Sequence, residues 1–395
     1  MNQPDTRAGP EPAITVAVVG NAANGVLKLR MEFIRFLIDR GCLVTTLAPR
    51  DAAVEQLESV GARFLPWRVS RGGLNPFREL VSIWRLRSVV RQLRPAVVVA
   101  TTPKGVIYGS IAARAAGVRH IFSIMTGLGY TFAAGGVRRT LLRWCVLVAY
   151  RIALAANASV FFQNEDDRRL FVSRNIVSSR RACRVRGSGV DLQRYVVPDR
   201  RCEPGVGTTF LMVARLLRDK GVREYSRAAK IVHAALPATR VCLLGPYDEN
   251  PAGIGPEYLE PYIRAGVLEY WGSTADVRPF LTAADVFVLP SYREGTSRAA
   301  LEALAMGMPV VTTDAPGCRE VVIPGENGYL VPVRDHEALA SAMIRLARSP
   351  AVVASMGARS RAFAERDYDV DRVNATIWRS ITRSLSAPPE PAAGR

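Results

Sequence analysis

The stretch SYREGTSRAALEALAMG, residues 291–307, decides how the rest of the chain is read. Before it lies Val286–Leu289, an apolar run that ends at Pro290 and reads as a buried strand entering a loop. Beyond the loop, Arg298–Met306 is rich in Ala, Leu and Met, which are strong helix formers, and Thr296 or Ser297 stands where a helix is capped. Glu294 then belongs to the strand-to-helix loop, and Glu302 to the helix, about two turns in. Ala299, Ala300 and Ala303 are small enough to let that helix lie close on a sheet. In an open α/β sheet, ligands bind in the crevice beyond the carboxyl ends of the strands. The free N–H groups of a helix start suit an anion such as a diphosphate.

The flank that follows, MPVVTTDAPGCREVVIPGENGYLVP, adds a second pattern. Glu-x7-Glu in this setting, with Gly307, Pro309, Gly317, Glu320, Gly325, Gly328 and Leu330 at their spacings, resembles the retaining glycosyltransferases of family 4. The resemblance implies an α/β protein of the GT-B fold, with two doubly wound Rossmann-like domains facing each other across a cleft.

Composition bounds the answer independently. A chain of 395 residues is too long for one core and suits two domains. A net charge of +18 calls for anionic partners: a phospholipid surface, nucleotides or nucleic acid. Of the 53 basic residues only Lys28, Lys104, Lys220 and Lys230 are lysines, so each retained lysine is worth inspecting. The six cysteines are scattered without a CxxC pair or a histidine cluster, which argues against zinc and a disulfide framework and for reduced cytosolic thiols. The first dozen residues are polar, with no apolar signal core, and no apolar run reaches the roughly 20 residues that span a bilayer.

Taken in order, Ile14–Gly20 reads as a first strand, Asn21–Gly25 as a small-residue loop and Val26–Arg40 as a helix with Leu29, Phe33, Phe36 and Leu37 on one side. The spacing Gly20-x4-Gly25 lacks the GxGxxG dinucleotide fingerprint. A basic amphipathic helix lies around Leu80–Leu93, and the strand Val97–Ala100 feeds Thr101-Thr102-Pro103-Lys104 and an alanine-rich helix from about Tyr108 to Ala116. The strand Gly117–Ile124 leads to Met125-Thr126-Gly127-Leu128-Gly129-Tyr130. The Thr-Pro-Lys and Thr-Gly-Leu-Gly-Tyr segments resemble those of transferases that add N-acetylgalactosamine, or a similar sugar, to undecaprenyl-diphosphate-linked saccharides. The resemblance assigns Asn21, Gly25, Lys104, Thr126 and Tyr130 to the acceptor side. It also marks a departure: many family 4 enzymes place a histidine where Met125 stands, whereas His120 falls five residues earlier, inside the strand, and reads as a core residue.

Residues 137–156, VRRTLLRWCVLVAYRIALAA, form the most apolar stretch, with Arg138, Arg139, Arg143 and Arg151 interleaved. Two readings stay open. One is a core helix; the other is a basic helix in the membrane interface, anchored by Trp144 and Tyr150, with arginines meeting lipid phosphates. The second suits an acceptor on a polyprenyl chain, reached from an anionic membrane surface. The enzyme would then be cytoplasmic and peripheral on the inner face of the cytoplasmic membrane.

The chain is expected to begin with a disordered segment, 1–12, followed by an acceptor-binding domain over 13–195, a linker over 196–207 and a nucleotide-sugar-binding domain over 208–366, with a helix over 367–386 crossing back to the first domain and a disordered tail over 387–395. In the second domain the strand Thr208–Val213 delivers Arg215 and Lys220. Departure of a nucleoside diphosphate requires its developing negative charge to be offset. Asp367, Asp369 and Asp371 look like caps on the last helix rather than a metal-binding DxD, so no metal or other cofactor is expected. A cationic pair fits instead, and family 4 enzymes carry an arginine and a lysine at these two positions, gripping the donor diphosphate.

The resemblance further implies that Glu302 accepts hydrogen bonds from the donor ribose and Glu294 faces the sugar. Gly295, Thr296 and Ser297 then present N–H groups to the diphosphate, and Gly245 and Trp271 line the donor site. The function expected is retaining transfer of a sugar from a UDP-sugar to a lipid-diphosphate-linked saccharide, with Glu294, Arg215 and Lys220 as the catalytic set. Three rivals are a GT-B transferase with a soluble acceptor, a nucleotide-sugar epimerase of the same fold, which the placing of His120, His233 and His336 outside the expected cleft disfavours, and a basic nucleic-acid-binding protein. The arginines are spread along the chain without a basic-aromatic module, which speaks against nucleic acid.

Overall fold

The computed structural model describes residues 13–67, 76–128, 137–198 and 207–387. The segment 1–12, the centre of the linker (199–206), Tyr130 and the tail from 388 onward lie outside the described residues.

Seven strands, β1 (Thr15–Val19), β2 (Leu43–Ala48), β3 (Arg63–Pro66), β4 (Val97–Thr101), β5 (His120–Met125), β6 (Ser159–Phe162) and β7 (Ala182–Arg184), form a sheet in the order β3-β2-β1-β4-β5-β6-β7. β1 runs parallel to β2 and β4, β2 to β3, and β4 to β5. Six more, β8 (Thr209–Val213), β9 (Arg240–Leu244), β10 (Glu269–Tyr270), β11 (Val286–Leu289), β12 (Val310–Thr313) and β13 (Gly328–Val331), form a wholly parallel sheet in the order β10-β9-β8-β11-β12-β13. Their near-continuous Val, Leu and Phe content is what a strand covered on both faces requires.

The helices are α1 (Ala23–Ile38), α2 (Val54–Ser59), α3 (Pro76–Leu93), α4 (Pro103–Ala115), α5 (Val137–Leu154), α6 (Glu165–Ser173), α7 (Val222–Ala235), α8 (Pro256–Arg264), α9 (Arg278–Thr282), α10 (Arg298–Ala305), α11 (His336–Ala347), α12 (Pro350–Phe363) and α13 (Val370–Ser386). Two Rossmann-like parallel sheets with crossover helices make this the GT-B fold. By contact the described residues cluster into two compact units. One takes in those up to Ile124, Tyr150–Val160 and those from Arg379 on; the other takes in Met125–Ala149 and Phe161–Trp378.

Each sheet reverses its winding once, between β1 and β4 in the first and between β8 and β11 in the second. A crevice opens where two neighbouring strands send their connections to opposite faces. The loops after β1, β4, β8 and β11 are therefore the four that border a switch point; they hold Asn21, Thr102, Lys220 and Glu294 respectively, and Lys104 follows in the first turn of α4.

Several boundaries differ from expectation. α1 starts at Ala23, so Gly25 lies in the first helical turn rather than in a loop. A Cβ there would meet nothing closer than 3.9 Å, so the glycine is not required by space, whereas one on Gly20 would strike Val26 at 2.3 Å. α4 begins at Pro103 rather than near Tyr108, because proline at a first helical position loses no hydrogen bond and arrives with helical φ. β3, α6, β7 and α12 have sequence signals too short or too polar for periodicity to register.

Candidate active site

In the second unit the loop from Pro290 to Ser297 is pinned by its backbone. Tyr292 N donates to Asp219 O at 2.8 Å and Glu294 N donates to Pro316 O at 2.9 Å. The Asp219 contact draws the β8 loop to the β11 loop, and the result is an ion pair between Lys220 Nζ and Glu294 Oε1 at 2.5 Å. Both side chains are largely buried. An ammonium has three donors, so one bond to Glu294 leaves two for a phosphate.

Ser297 caps α10, its Oγ accepting from Ala300 N at 3.3 Å. The helix buries Ala300, Leu301, Ala303 and Leu304 against the sheet, which fixes its rotation and keeps Glu302 turned inward as well. Buried Glu302 is supported on one oxygen: Oε1 accepts from Tyr195 Oη and from Arg298 Nε, both at 2.8 Å. Oε2 lies outside these two bonds and is available to accept from a ligand hydroxyl.

A second group of residues also holds the loop. Asn164 caps α6 through Oδ1, which accepts from Asp167 N at 2.7 Å, and its Nδ2 donates to Gly295 O at 2.8 Å and Glu294 O at 3.3 Å. Arg293 pairs with buried Asp167; burial pushes that carboxyl up while the guanidinium pulls it down. Thr296 Oγ1 donates to Gln163 O at 2.9 Å. Gly295 must be glycine, because a Cβ there would lie 2.3 Å from Thr126 O. Thr126, assigned to the acceptor side, thus touches the loop assigned to the donor.

The other expected donor residues are placed differently. Arg215 pairs with Asp248 at 2.8 Å, with most of its side chain in solvent. Gly245 is forced by close packing, since a Cβ would lie 1.8 Å from Ala214 O, and its N–H donates to Gly272 O at 2.7 Å. Trp271 stacks near Phe280, with centroids 5.7 Å apart, and gives its Nε1 hydrogen to Glu269 at 3.1 Å.

In the first unit, Asn21 N donates to Thr102 Oγ1 at 3.3 Å, joining the loops after β1 and β4. Thr102 adopts φ +68°, a left-handed conformation costly for a β-branched residue, as it caps α4. Lys104 pairs with Glu79 at 3.1 Å, and Tyr108 donates to the same carboxylate at 2.6 Å. Beneath them Arg30 is buried, with Nε donating to Thr101 Oγ1 at 3.3 Å, and burial lowers its guanidinium pKa to about 9. His120 is half-buried at the start of β5, its Nδ1 2.9 Å from Ser384 Oγ, and burial lowers its pKa.

On α5 the two proposed anchors part company. Trp144 is 63% exposed, but Tyr150 is only 1% exposed and cannot anchor at a lipid surface, because it falls on the helix face that packs inward.

Asn164, Asp167, Tyr195 and Arg298 escaped the sequence reading. A signal existed for the first pair: Asn164 followed by Glu165-Asp166-Asp167 is an N-cap with an acidic first turn. Arg30 was hidden by its neighbours, because charge alone suggested an outward position.

Residues 24–187 match the model described as "Glycosyl transferase 4-like domain", and residues 207–349 match "Glycosyl transferases group 1". The chain is 27% identical over 324 residues to N,N'-diacetylbacillosaminyl-diphospho-undecaprenol alpha-1,3-N-acetylgalactosaminyltransferase of Campylobacter jejuni, covering 79% of this chain and 84% of that protein. It is 21% identical over 317 residues to the capsular polysaccharide biosynthesis glycosyltransferase CapM of Staphylococcus aureus, covering 77% and 80%. The crystal structure of Anabaena HepE in complex with UDP and glucose superposes with a TM-score of 0.75 at 18% identity, over 94% of this chain and all of that one. The two matches together take in most of the chain, which belongs to the glycosyltransferases that join a 4-like domain to a group 1 domain.

Proposed function

We propose that this glycosyltransferase moves a sugar, a HexNAc, from a UDP-sugar to an undecaprenyl-diphosphate-linked saccharide in the assembly of a surface polysaccharide or glycan. The anomeric configuration is retained, no metal takes part, and the enzyme works as a peripheral protein on the inner face of the cytoplasmic membrane.

The observation that carries this reading is the arrangement of the two glutamates. Glu294 holds Lys220 at 2.5 Å, and Glu302 is fixed on one oxygen by Tyr195 and Arg298. A fixed carboxylate with an open oxygen suits the ribose hydroxyls, and a lysine with spare donors suits the diphosphate. The lipid-linked acceptor is supported by the name of the Campylobacter relative, and the nucleotide by the UDP in the Anabaena structure.

In the proposed step the bond from the anomeric carbon to the β-phosphate oxygen breaks as the acceptor hydroxyl oxygen bonds to that carbon on the same face. The hydroxyl proton passes to the departing phosphate oxygen. Lys220, joined by Arg215, offsets the charge that grows on the β-phosphate, and the N–H groups of Gly295, Thr296 and Ser297 add partial positive charge. Glu294 positions both Lys220 and the sugar. Catalysis is then mostly electrostatics and orientation.

The test is transfer from a panel of radiolabelled UDP-sugars to a lipid extract of the native cells, with wild type beside Glu302→Ala and Lys220→Ala. Label entering the lipid fraction, and lost in both variants, supports the reading and names the sugar. Label only in a soluble product discards the lipid acceptor, and no turnover of any UDP-sugar discards the donor.

A further inference from the structure

α3 is apolar on two opposite faces. Leu86 and Val90 are fully buried in the core of the first unit, beside Ala112 and Trp67. On the outward side, Phe77 is 80% exposed, Leu80 54%, Val81 48% and Trp84 60%. At roughly 100° per residue these four fall within an arc of about 100°, a continuous stripe along the first half of the helix.

Charge is arranged around that stripe. On the same helical wheel Arg78 and Arg85 border one side and Arg87 the other; Arg87 lies over the Trp84 ring at 5.0 Å. The only acidic residue of α3, Glu79, lies off the stripe on the helical wheel, and its charge is engaged by Lys104 and Tyr108. The outward face is therefore apolar at its centre and basic at its edges, with no carboxylate. Beside it lies a cavity of about 850 Å³, where Trp67, Phe77 and Val81 meet Arg50, Arg78 and Arg85, with Glu79 as its single carboxylate.

We infer that the first half of α3 is a membrane-docking element, with Phe77, Leu80, Val81 and Trp84 entering the headgroup boundary of an anionic bilayer while the bordering arginines meet lipid phosphates. The stripe is bordered by arginines and its one nearby carboxylate, Glu79, is already paired with Lys104, so apolar insertion and attraction to lipid phosphates act together. α5 offers less, because its exposed large apolar side chains are Trp144 and Ile152 alone among the described residues. The inference rests on the membrane-held acceptor proposed above only for its biological sense; lipid binding itself requires neither donor nor acceptor.

The test uses the full chain and sedimentation with vesicles of phosphatidylcholine alone, or with roughly one-third phosphatidylglycerol. Wild type is expected to partition onto the anionic vesicles and much less onto the neutral ones. Phe77→Ser combined with Trp84→Ser is expected to weaken that partition at least about tenfold, with only a small change in melting temperature, because most of each ring's surface is exposed. Trp144→Ser is expected to bind as wild type does. Partition that does not rise with anionic lipid, or that survives the α3 substitutions and falls with Trp144→Ser, overturns the inference. A wild type that elutes as a dimer while the α3 variant elutes as a monomer also overturns it, by assigning the stripe to a second copy. Transfer to a water-soluble acceptor analogue is measured in parallel. Lost vesicle binding with that transfer intact supports the inference whichever acceptor is natural.

Discussion

Tyr195 gives its hydroxyl hydrogen to Oε1 of Glu302 at 2.8 Å, from a position 107 residues away in the chain. Arg298 Nε bonds the same oxygen from one turn earlier on α10. The carboxylate proposed to read the donor ribose is thereby held from two elements, and only one of them could be anticipated from helical spacing.

Tyr195→Phe keeps the buried ring and removes one of these two bonds. UDP binding is expected to weaken about fivefold, close to 1 kcal/mol, with little change in melting temperature. Calorimetric titration checks it. Because the support acts on the ribose carboxylate, 2'-deoxy-UDP should be affected less than UDP. Equal losses for both ligands would detach Tyr195 from ribose recognition.

Lys220→Ala removes the cation proposed to face the β-phosphate, and transfer is expected to fall by a factor of roughly 10²–10³. It also leaves Glu294 enclosed without its partner, so stability falls too. Glu294→Gln added to Lys220→Ala should recover part of that stability and none of the activity. Thermal melts beside turnover separate the two effects, and simple additivity in the melts would argue against the pair.

Gly295→Ala would bring a Cβ to 2.3 Å from Thr126 O and 2.8 Å from Gln163 Oε1. Both contacts lie within the packed shell of the loop, so a loss of about 1–3 kcal/mol is expected, together with displacement of Glu294. Asn164→Ala should act in the same direction, because it frees the carbonyls of Glu294 and Gly295 and removes the α6 cap. A melting temperature within one degree of wild type for both variants would contradict this packing.

Glu165, at the start of α6, is held by Arg168 and Arg169, and its carboxyl is lowered from the ordinary 4.5 to about 2. Because the folded value lies below the unfolded one, its contribution to stability is complete above about pH 4.5 and is lost as pH falls from there towards 2. Urea midpoints measured across that window should fall more steeply for wild type than for Glu165→Gln. Parallel curves would place the acid sensitivity elsewhere.

Much of the protein was legible in the sequence because it depends on neighbours along the chain. The β-branched runs ending in glycine or proline became strands, with Val286–Leu289 matching residue for residue. The Ser-capped alanine-rich segment became α10, and of the three aspartates near the last helix Asp369 caps it as expected, its Oδ1 accepting from Asp371 N at 2.8 Å, whereas Asp367 pairs with Arg366 at 3.0 Å. Family resemblance then singled out Lys220 and Glu294, and the fold brought them together.

What only the tertiary structure decided concerns partners and faces. Arg215 turned to Asp248, a residue no local pattern connects to it. Arg30 went inward and Tyr150 was buried, while the apolar residues at the start of α3 stayed in solvent. Periodicity states which side chains share a helix face. It does not state which of two apolar faces meets the core, because that depends on what the sheet beneath can accept. The grip of Tyr195 on Glu302 and of Asn164 on Gly295 likewise arises from distant segments meeting, and a sequence carries no distance between residues until its sheets have formed.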